Sequence, residues 1–142
     1  DIKLDDEAVD ILTFFRQRGI PVGVITDGRA WGQMNKIEAL QLGRYMDKEN
    51  IMATVLLGTD KHSDKPFKVM EEILRKKGVT SFVYVGDNLA KDFIHPNQMG
   101  WATVMLRDTD GVNIHPQDSA DWPVANHPRL VIDSLAELKA MV

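Results

Sequence analysis

Apolar residues recur at helical spacing through Glu7-Ala8-Val9-Asp10-Ile11-Leu12-Thr13-Phe14-Phe15-Arg16, which predicts a first helix capped by Asp5 or Asp6 and stopped at Gly19. The period then changes. Residues 20–25 form an almost unbroken apolar run, as expected of a parallel strand covered on both faces, and Thr26-Asp27-Gly28 ends it abruptly. Helical spacing returns over 30–42 through Trp31, Met34, Ile37, Ala39 and Leu40, with Gly43 as the stop. A second strand is expected at 51–57, then a polar loop at 58–64. Pro66 suits the first turn of a helix that continues through Phe67, Val69, Met70, Ile73 and Leu74 to Lys76-Lys77-Gly78. The remaining elements read as a strand at 82–85, a short helix around 90–99 and a strand at 102–106. A Pro-containing loop at 108–128, an edge strand at 130–132 and a last helix capped by Ser134 complete the chain.

Strands alternating with helices of this length imply βαβ units with right-handed crossovers. The expected fold is α/β, a Rossmann-like three-layer sandwich with a mainly parallel sheet. In such sheets ligands bind beyond the carboxyl ends of the strands, where both Thr26-Asp27-Gly28 and Gly86-Asp87-Asn88 fall. The length, 142 residues, suits one domain with one core. The repeated Ile-His-Pro at 94–96 and 114–116 is too short to mark a structural repeat.

Composition narrows the partners. A formal charge of -4 argues against a polyanion-binding surface, so nucleic acid is not an expected partner. The absence of cysteine removes disulfides and thiol nucleophiles and suits a reducing cytosol. No apolar run is long enough to span a membrane and the acidic start is no signal peptide, so the expected location is cytoplasmic.

Three segments could carry chemistry. Thr26-Asp27-Gly28 offers a hydroxyl and backbone N–H groups at a strand end just before a helix, which suits an anion such as a phosphate; the same tripeptide would also serve as a turn in which Thr or Asp only caps the helix. Gly86-Asp87-Asn88-Leu89-Ala90-Lys91-Asp92 places two carboxylates close together after an apolar strand, a donor set for a hard cation such as Mg²⁺ or, alternatively, a turn capped by Asp92. An ionised carboxylate there costs solvation unless it is compensated, which favours the cation. Lys65 stands at a helix start, where the dipole disfavours a cation, so its charge is expected to serve a partner beyond the helix; Lys61, Lys65 and Lys68 could equally form a solvated face. His62, His95, His115 and His127 have no metal-clamping spacing, and Trp31, Trp101 and Trp122 read as packing residues. Ser63 and Ser134 lack the setting of a nucleophile elbow.

In order and spacing these segments resemble the haloacid dehalogenase (HAD) superfamily. Val24-Ile25-Thr26-Asp27-Gly28 is similar to its second motif, whose hydroxyl residue holds the phosphoryl group. Asp64-Lys65-Pro66 is similar to the third, whose lysine offsets negative charge, and the stretch from Val83 to Asp92 is similar to the fourth, whose acidic residues hold Mg²⁺. Gln33, Lys36, Ile37, Ala39 and Leu40, and Gly100-Trp101-Ala102-Thr103-Val104, look like the residues that accompany these motifs.

The family's first motif, a hydrophobic strand ending in Asp-x-Asp whose first Asp attacks phosphorus, has no counterpart here. Asp5-Asp6 follows no strand and has the wrong spacing. The missing strand would lie at the centre of the sheet, between the strands that end at Thr26 and Val85, and removing it would leave backbone groups unpaired. The expectation is therefore a fragment of a longer protein that supplies the strand from upstream; a second chain, as in self-association, or closure of the sheet over the gap are the alternatives. The resemblance implies a Mg²⁺-dependent phosphatase of a small phosphorylated metabolite, with Thr26, Asp27 and Gly28 on the phosphate, catalytic Lys65, and Asp87 and Asp92 on the metal. This chain alone is expected to be inactive. The alternative function is a HAD-like binding or interaction module without catalysis, and a dehalogenase is disfavoured because it has no use for a divalent metal. Substrate identity lies with the family's cap, which is absent, and the 108–128 loop with Trp122 could form a wall or partner surface.

Overall fold

The computed structural model describes residues 5–27, 41–108 and 117–142. The chain divides into two compact units, Asp1–Thr80 with Leu138–Val142, and Ser81–Glu137.

In the first unit, α1 (Asp6–Gln17) starts where the acidic residues predicted. Asp5 is extended and its carboxylate accepts the Ala8 N–H at 2.8 Å, satisfying one of the unpaired donors of the first turn. Gly19 ends the helix at φ +66°, a left-handed conformation that costs a Cβ-bearing residue energy. It lets the Ile20 N–H return to the Phe15 carbonyl at 2.9 Å.

Strand β1 (Val24–Thr26) is shorter than the apolar run at 20–25. It pairs in parallel only where β2 (Ile51–Ala53) runs beside it, from Val24 opposite Ile51 to Thr26 opposite Ala53. Upstream, the Val22 carbonyl is instead taken by the Asn50 side-chain amide at 3.0 Å. The second strand also stops early. Residues Thr54–Leu57 form a 3-10 turn in which the Thr59 N–H returns to the Thr54 carbonyl at 3.2 Å. Helix α2 (Lys65–Arg75) has Pro66 in its first turn and buries Pro66, Phe67, Met70 and Leu74, the spacing of one helical face. With Ile11, Leu42, Met46, Met52, Ala53 and Leu138 these residues make the unit's buried apolar set among the described residues. Of the helix expected over 30–42, Gln41 and Leu42 are helical and the rest, with Gly28, Trp31 and Gln33, lies outside the described residues.

The second unit is a three-stranded parallel sheet in the order β3 (Val83–Gly86), β4 (Ala102–Leu106), β5 (Leu130–Ile132). The connection from β3 to β4 contains α3 (Ile94–Gln98), shorter than the helix expected at 90–99 because residues 88–93 form turns around the Asn88 carbonyl. Leu89, Phe93 and Met105 make a buried cluster with Tyr84 and Trp122 packed against it. Trp101 is buried and stacks on Phe82 with ring centroids 5.1 Å apart. Residues Leu135–Met141 form a 3-10 helix that starts directly after Ser134, as expected. The Glu137 carboxylate, three residues on, reaches back to accept the Asp133 and Ser134 N–H groups at 2.6 and 3.0 Å, the reciprocal bond of a capping box. Those bonds hold the Glu137 carboxyl below the usual carboxylate range.

The molecule is thus an α/β protein with parallel strands. Among the described residues β1 pairs only with β2, and β3 only with β4, so each has one edge without a partner strand. No helix among the described residues is long and apolar enough to cross a membrane.

Candidate active site

In the first unit, β1 delivers Thr26 and Asp27 to its carboxyl end. Thr26 is buried, yet its hydroxyl makes only a long contact of 3.5 Å, to the Asp27 carbonyl, so a good acceptor has not claimed it among the described residues. The Asp27 carboxylate is already engaged. Its Oδ1 accepts the Thr54 hydroxyl at 3.1 Å and the Lys61 N–H at 3.2 Å. This carboxylate therefore joins the end of β1 to the loop after β2, and Thr54, which is fully buried, is a residue that the sequence reading missed.

Lys65 opens α2 as expected. Its exposed ammonium donates to the Leu57 carbonyl at 3.0 Å, which draws the 3-10 turn after β2 toward the helix start. Asp64 makes no side-chain capping bond and pairs instead with Lys68 at 2.9 Å. The carbonyl at Leu57 partly offsets the unfavourable placing of a cation at a helix N-terminus. Thr26, Asp27 and Lys65 thus belong to one unit and share its strand ends.

In the second unit the two aspartates take different parts. Asp92 is 2% exposed, and its Oδ2 accepts the N–H groups of Asp87 at 3.1 Å and Asn88 at 2.9 Å. Tyr84 donates its hydroxyl to Oδ1 at 3.4 Å. Asn88 is buried too, and its side-chain carbonyl accepts the Ala90 N–H at 3.0 Å. The result is a loop wound around a carboxylate. Asp87, by contrast, is exposed at the end of β3, and among the described residues no hydrogen bond or ion pair engages its carboxylate.

The donor chemistry fits Mg²⁺, which keeps several waters and takes one or two carboxylates. The Asp87 carboxylate is left unengaged among the described residues, while Asp92 Oδ2 accepts two backbone N–H groups and its Oδ1 the Tyr84 hydroxyl. Among the described residues no group of three or more His, Cys, Asp or Glu could hold a metal by itself. His62 is exposed, and His127 Nε2 lies 2.9 Å from the Trp122 carbonyl.

The 117–128 loop is anchored around the Asp87 loop. Gln117 Nε2 donates to the Asp87 carbonyl at 3.1 Å and Asn126 Nδ2 to the Leu89 carbonyl at 2.8 Å. Asn97 Nδ2 binds the His127 carbonyl at 2.8 Å and its Oδ1 accepts the Thr103 hydroxyl at 2.7 Å. Trp122 is therefore part of a packed wall within its unit. Gln117 and Asn126 carried no sequence signal, because polar residues in a Pro-containing loop are ordinary.

The chain belongs to the haloacid dehalogenase-like hydrolase family, whose model matches residues 1–106. It is 29% identical over 136 residues to a glyceraldehyde 3-phosphate phosphatase of Methanopyrus kandleri, covering 93% of this chain and 56% of that protein. Its fold is similar to the HAD-hydrolase YfnB from Bacillus subtilis bound to magnesium, with a TM-score of 0.70 and 19% identity over 98% of this chain and 56% of that one. A HAD phosphatase from Thermococcus onnurineus gives a TM-score of 0.63 at 18% identity, over 98% of this chain and 58% of that one. The chain spans just over half the length of these relatives.

Proposed function

We propose that this chain forms most of the core of a Mg²⁺-dependent phosphatase acting on a small phosphorylated metabolite. The observation that carries the reading is the contrast between the two aspartates of one loop: Asp92 is buried and spent on the backbone, and Asp87 is left exposed with its carboxylate available. A loop wound that tightly to present one charge has the form of a cation site.

In this reading Asp87 holds the metal, with Asp92 fixing the loop that presents it. The metal, when bound, supplies charge stabilisation for the phosphoryl group. Thr26 donates its poorly used hydroxyl to a phosphoryl oxygen, helped by the backbone N–H groups that follow it. Asp27 keeps that strand end in place through Thr54 and Lys61. Lys65 turns its ammonium from the Leu57 carbonyl toward the negative charge of the nucleophile and substrate.

The nucleophile belongs to a strand that this chain does not contain. Among the described residues β1 and β3 each keep one edge without a partner strand, which supports this, since an unsatisfied row of backbone groups seeks a strand. The likeness to a glyceraldehyde 3-phosphate phosphatase supports a small phosphorylated substrate.

The test compares this chain with the longest native protein on a generic aryl phosphate, with Mg²⁺ and with EDTA. Mg²⁺-dependent hydrolysis by the longer protein and none by this chain is the expected outcome. A native protein that hydrolyses nothing under either condition favours a binding module instead.

A further inference from the structure

Gln117 connects the ends of two neighbouring strands. Its Nε2 donates to the carbonyls of Asp87 and Leu106, both at 3.1 Å, and its Oε1 accepts the Asp108 N–H at 2.8 Å. The β3–β4 ladder ends with Gly86 opposite Met105, so these three backbone groups lie just beyond the last pair. A primary amide has two donors and an acceptor, and here all three functions are used on the backbone. One side chain thereby extends the ladder past its natural end.

The consequence falls on Asp87. Its N–H is held by Asp92 and its carbonyl by Gln117, so the main chain is pinned on both sides of the residue while the carboxylate stays available. A metal-binding carboxylate gains affinity when its backbone is fixed before the ion arrives.

We infer that Gln117 is a positioning residue for the Asp87 carboxylate and sets its affinity for a divalent cation. The inference rests on the metal reading given above. The donor function is what matters. Gln117→Glu keeps an acceptor for the Asp108 N–H but turns a carboxylate oxygen toward two carbonyls, so size and acceptor are retained and the strand-to-strand donation is lost.

The experiment uses the longest native protein and measures Mg²⁺ binding by titration calorimetry, Asp108 N–H exchange by NMR, and melting temperature. Gln117→Ala and Gln117→Glu are each expected to weaken Mg²⁺ binding about tenfold, the lower end of the effect of removing a residue that orients a metal ligand. In Gln117→Ala the Asp108 N–H should also lose protection. The Mg²⁺ concentration for half-maximal hydrolysis should rise in step, with kcat at saturating Mg²⁺ nearly unchanged. Lys77→Ala, in the other unit, lowers the melting temperature without changing Mg²⁺ affinity, which separates positioning from general loss of stability. Normal Mg²⁺ binding by the wild type with equal binding by both Gln117 variants overturns the inference alone. A wild-type protein that binds no Mg²⁺ overturns the metal reading and the inference with it.

Discussion

The Asp92 carboxylate occupies the space that a side chain on residue 86 would need: a Cβ built on Gly86 would lie 2.6 Å from Asp92 Oδ2 and 2.8 Å from its Cβ and Cγ. The Gly-Asp pair at the end of β3 therefore has a packing cause. Residue 86 must be glycine for Asp92 to reach the N–H groups of Asp87 and Asn88.

Gly86→Ala is expected to destabilise the protein by about 1–3 kcal/mol, the usual cost of overpacking a closed site. Asp92 is buried among several partners and cannot swing aside. Asp92→Ala should cost a similar amount, about 1–3 kcal/mol, because it strips two N–H groups of their acceptor. The double variant should cost less than the sum, since the clash is gone. Denaturant midpoints of the four proteins check this. Strict additivity would show that the two residues do not meet.

Thr54→Val should loosen the end of β1. The fully buried hydroxyl donates to Asp27 Oδ1 at 3.1 Å, beside the Lys61 N–H at 3.2 Å, and its removal takes one of these donors away. A loss of about 1.5–3 kcal/mol is expected for a hydrogen bond to a charged group. Hydrogen exchange at Lys61 should quicken. Unchanged exchange there would mean that Asp27 does not depend on Thr54.

Lys77 links Asp47 at 2.7 Å, Glu49 at 2.9 Å and the Asn50 side-chain carbonyl at 2.9 Å. Hydrogen bonds and charge from Lys77 lower the carboxyls of Asp47 and Glu49. Burial pulls Lys77 down, but the bonds and charges of Asp47 and Glu49 outweigh it, and its net shift is upward. The signs set two limits. The carboxylates contribute stability above their unfolded pKa, about 4, and lose it as pH falls through their lowered folded values. Lys77 contributes below its unfolded value, about 10.4, and loses it as pH rises through the raised folded one. The stability difference between wild type and Lys77→Met should therefore be flat near neutrality and shrink at both extremes. A difference that stays constant from acid to alkali would contradict the cluster's role.

Most of the fold was legible in the residues. The cap at Asp5, the stop at Gly19 and the strands at Ala102–Leu106 and Leu130–Ile132 lie where local chemistry placed them. Lengths were less legible. The run at 20–25 is apolar throughout, but only residues with a neighbour in register form β1, and pairing is decided by a segment far along the chain. The candidate site was legible as residue types and not as roles. Asp87 and Asp92 look alike in sequence, whereas Gly86 and two backbone N–H groups make one of them a scaffold. Thr54, Gln117 and Asn126 act through side-chain bonds to distant main chain, which no spacing rule encodes.

The measurement that bears most directly on the central claim is Mg²⁺-dependent hydrolysis of an aryl phosphate by the longest native protein carrying Asp87→Asn. The substitution keeps the size of the side chain and removes the charge that a hard cation requires. The expected result is a fall of about a hundredfold or more in activity, roughly 2.7 kcal/mol or more in the barrier, with the melting temperature little changed because the carboxylate is exposed. Activity that survives Asp87→Asn with its Mg²⁺ dependence intact would contradict the assignment of the metal to this loop.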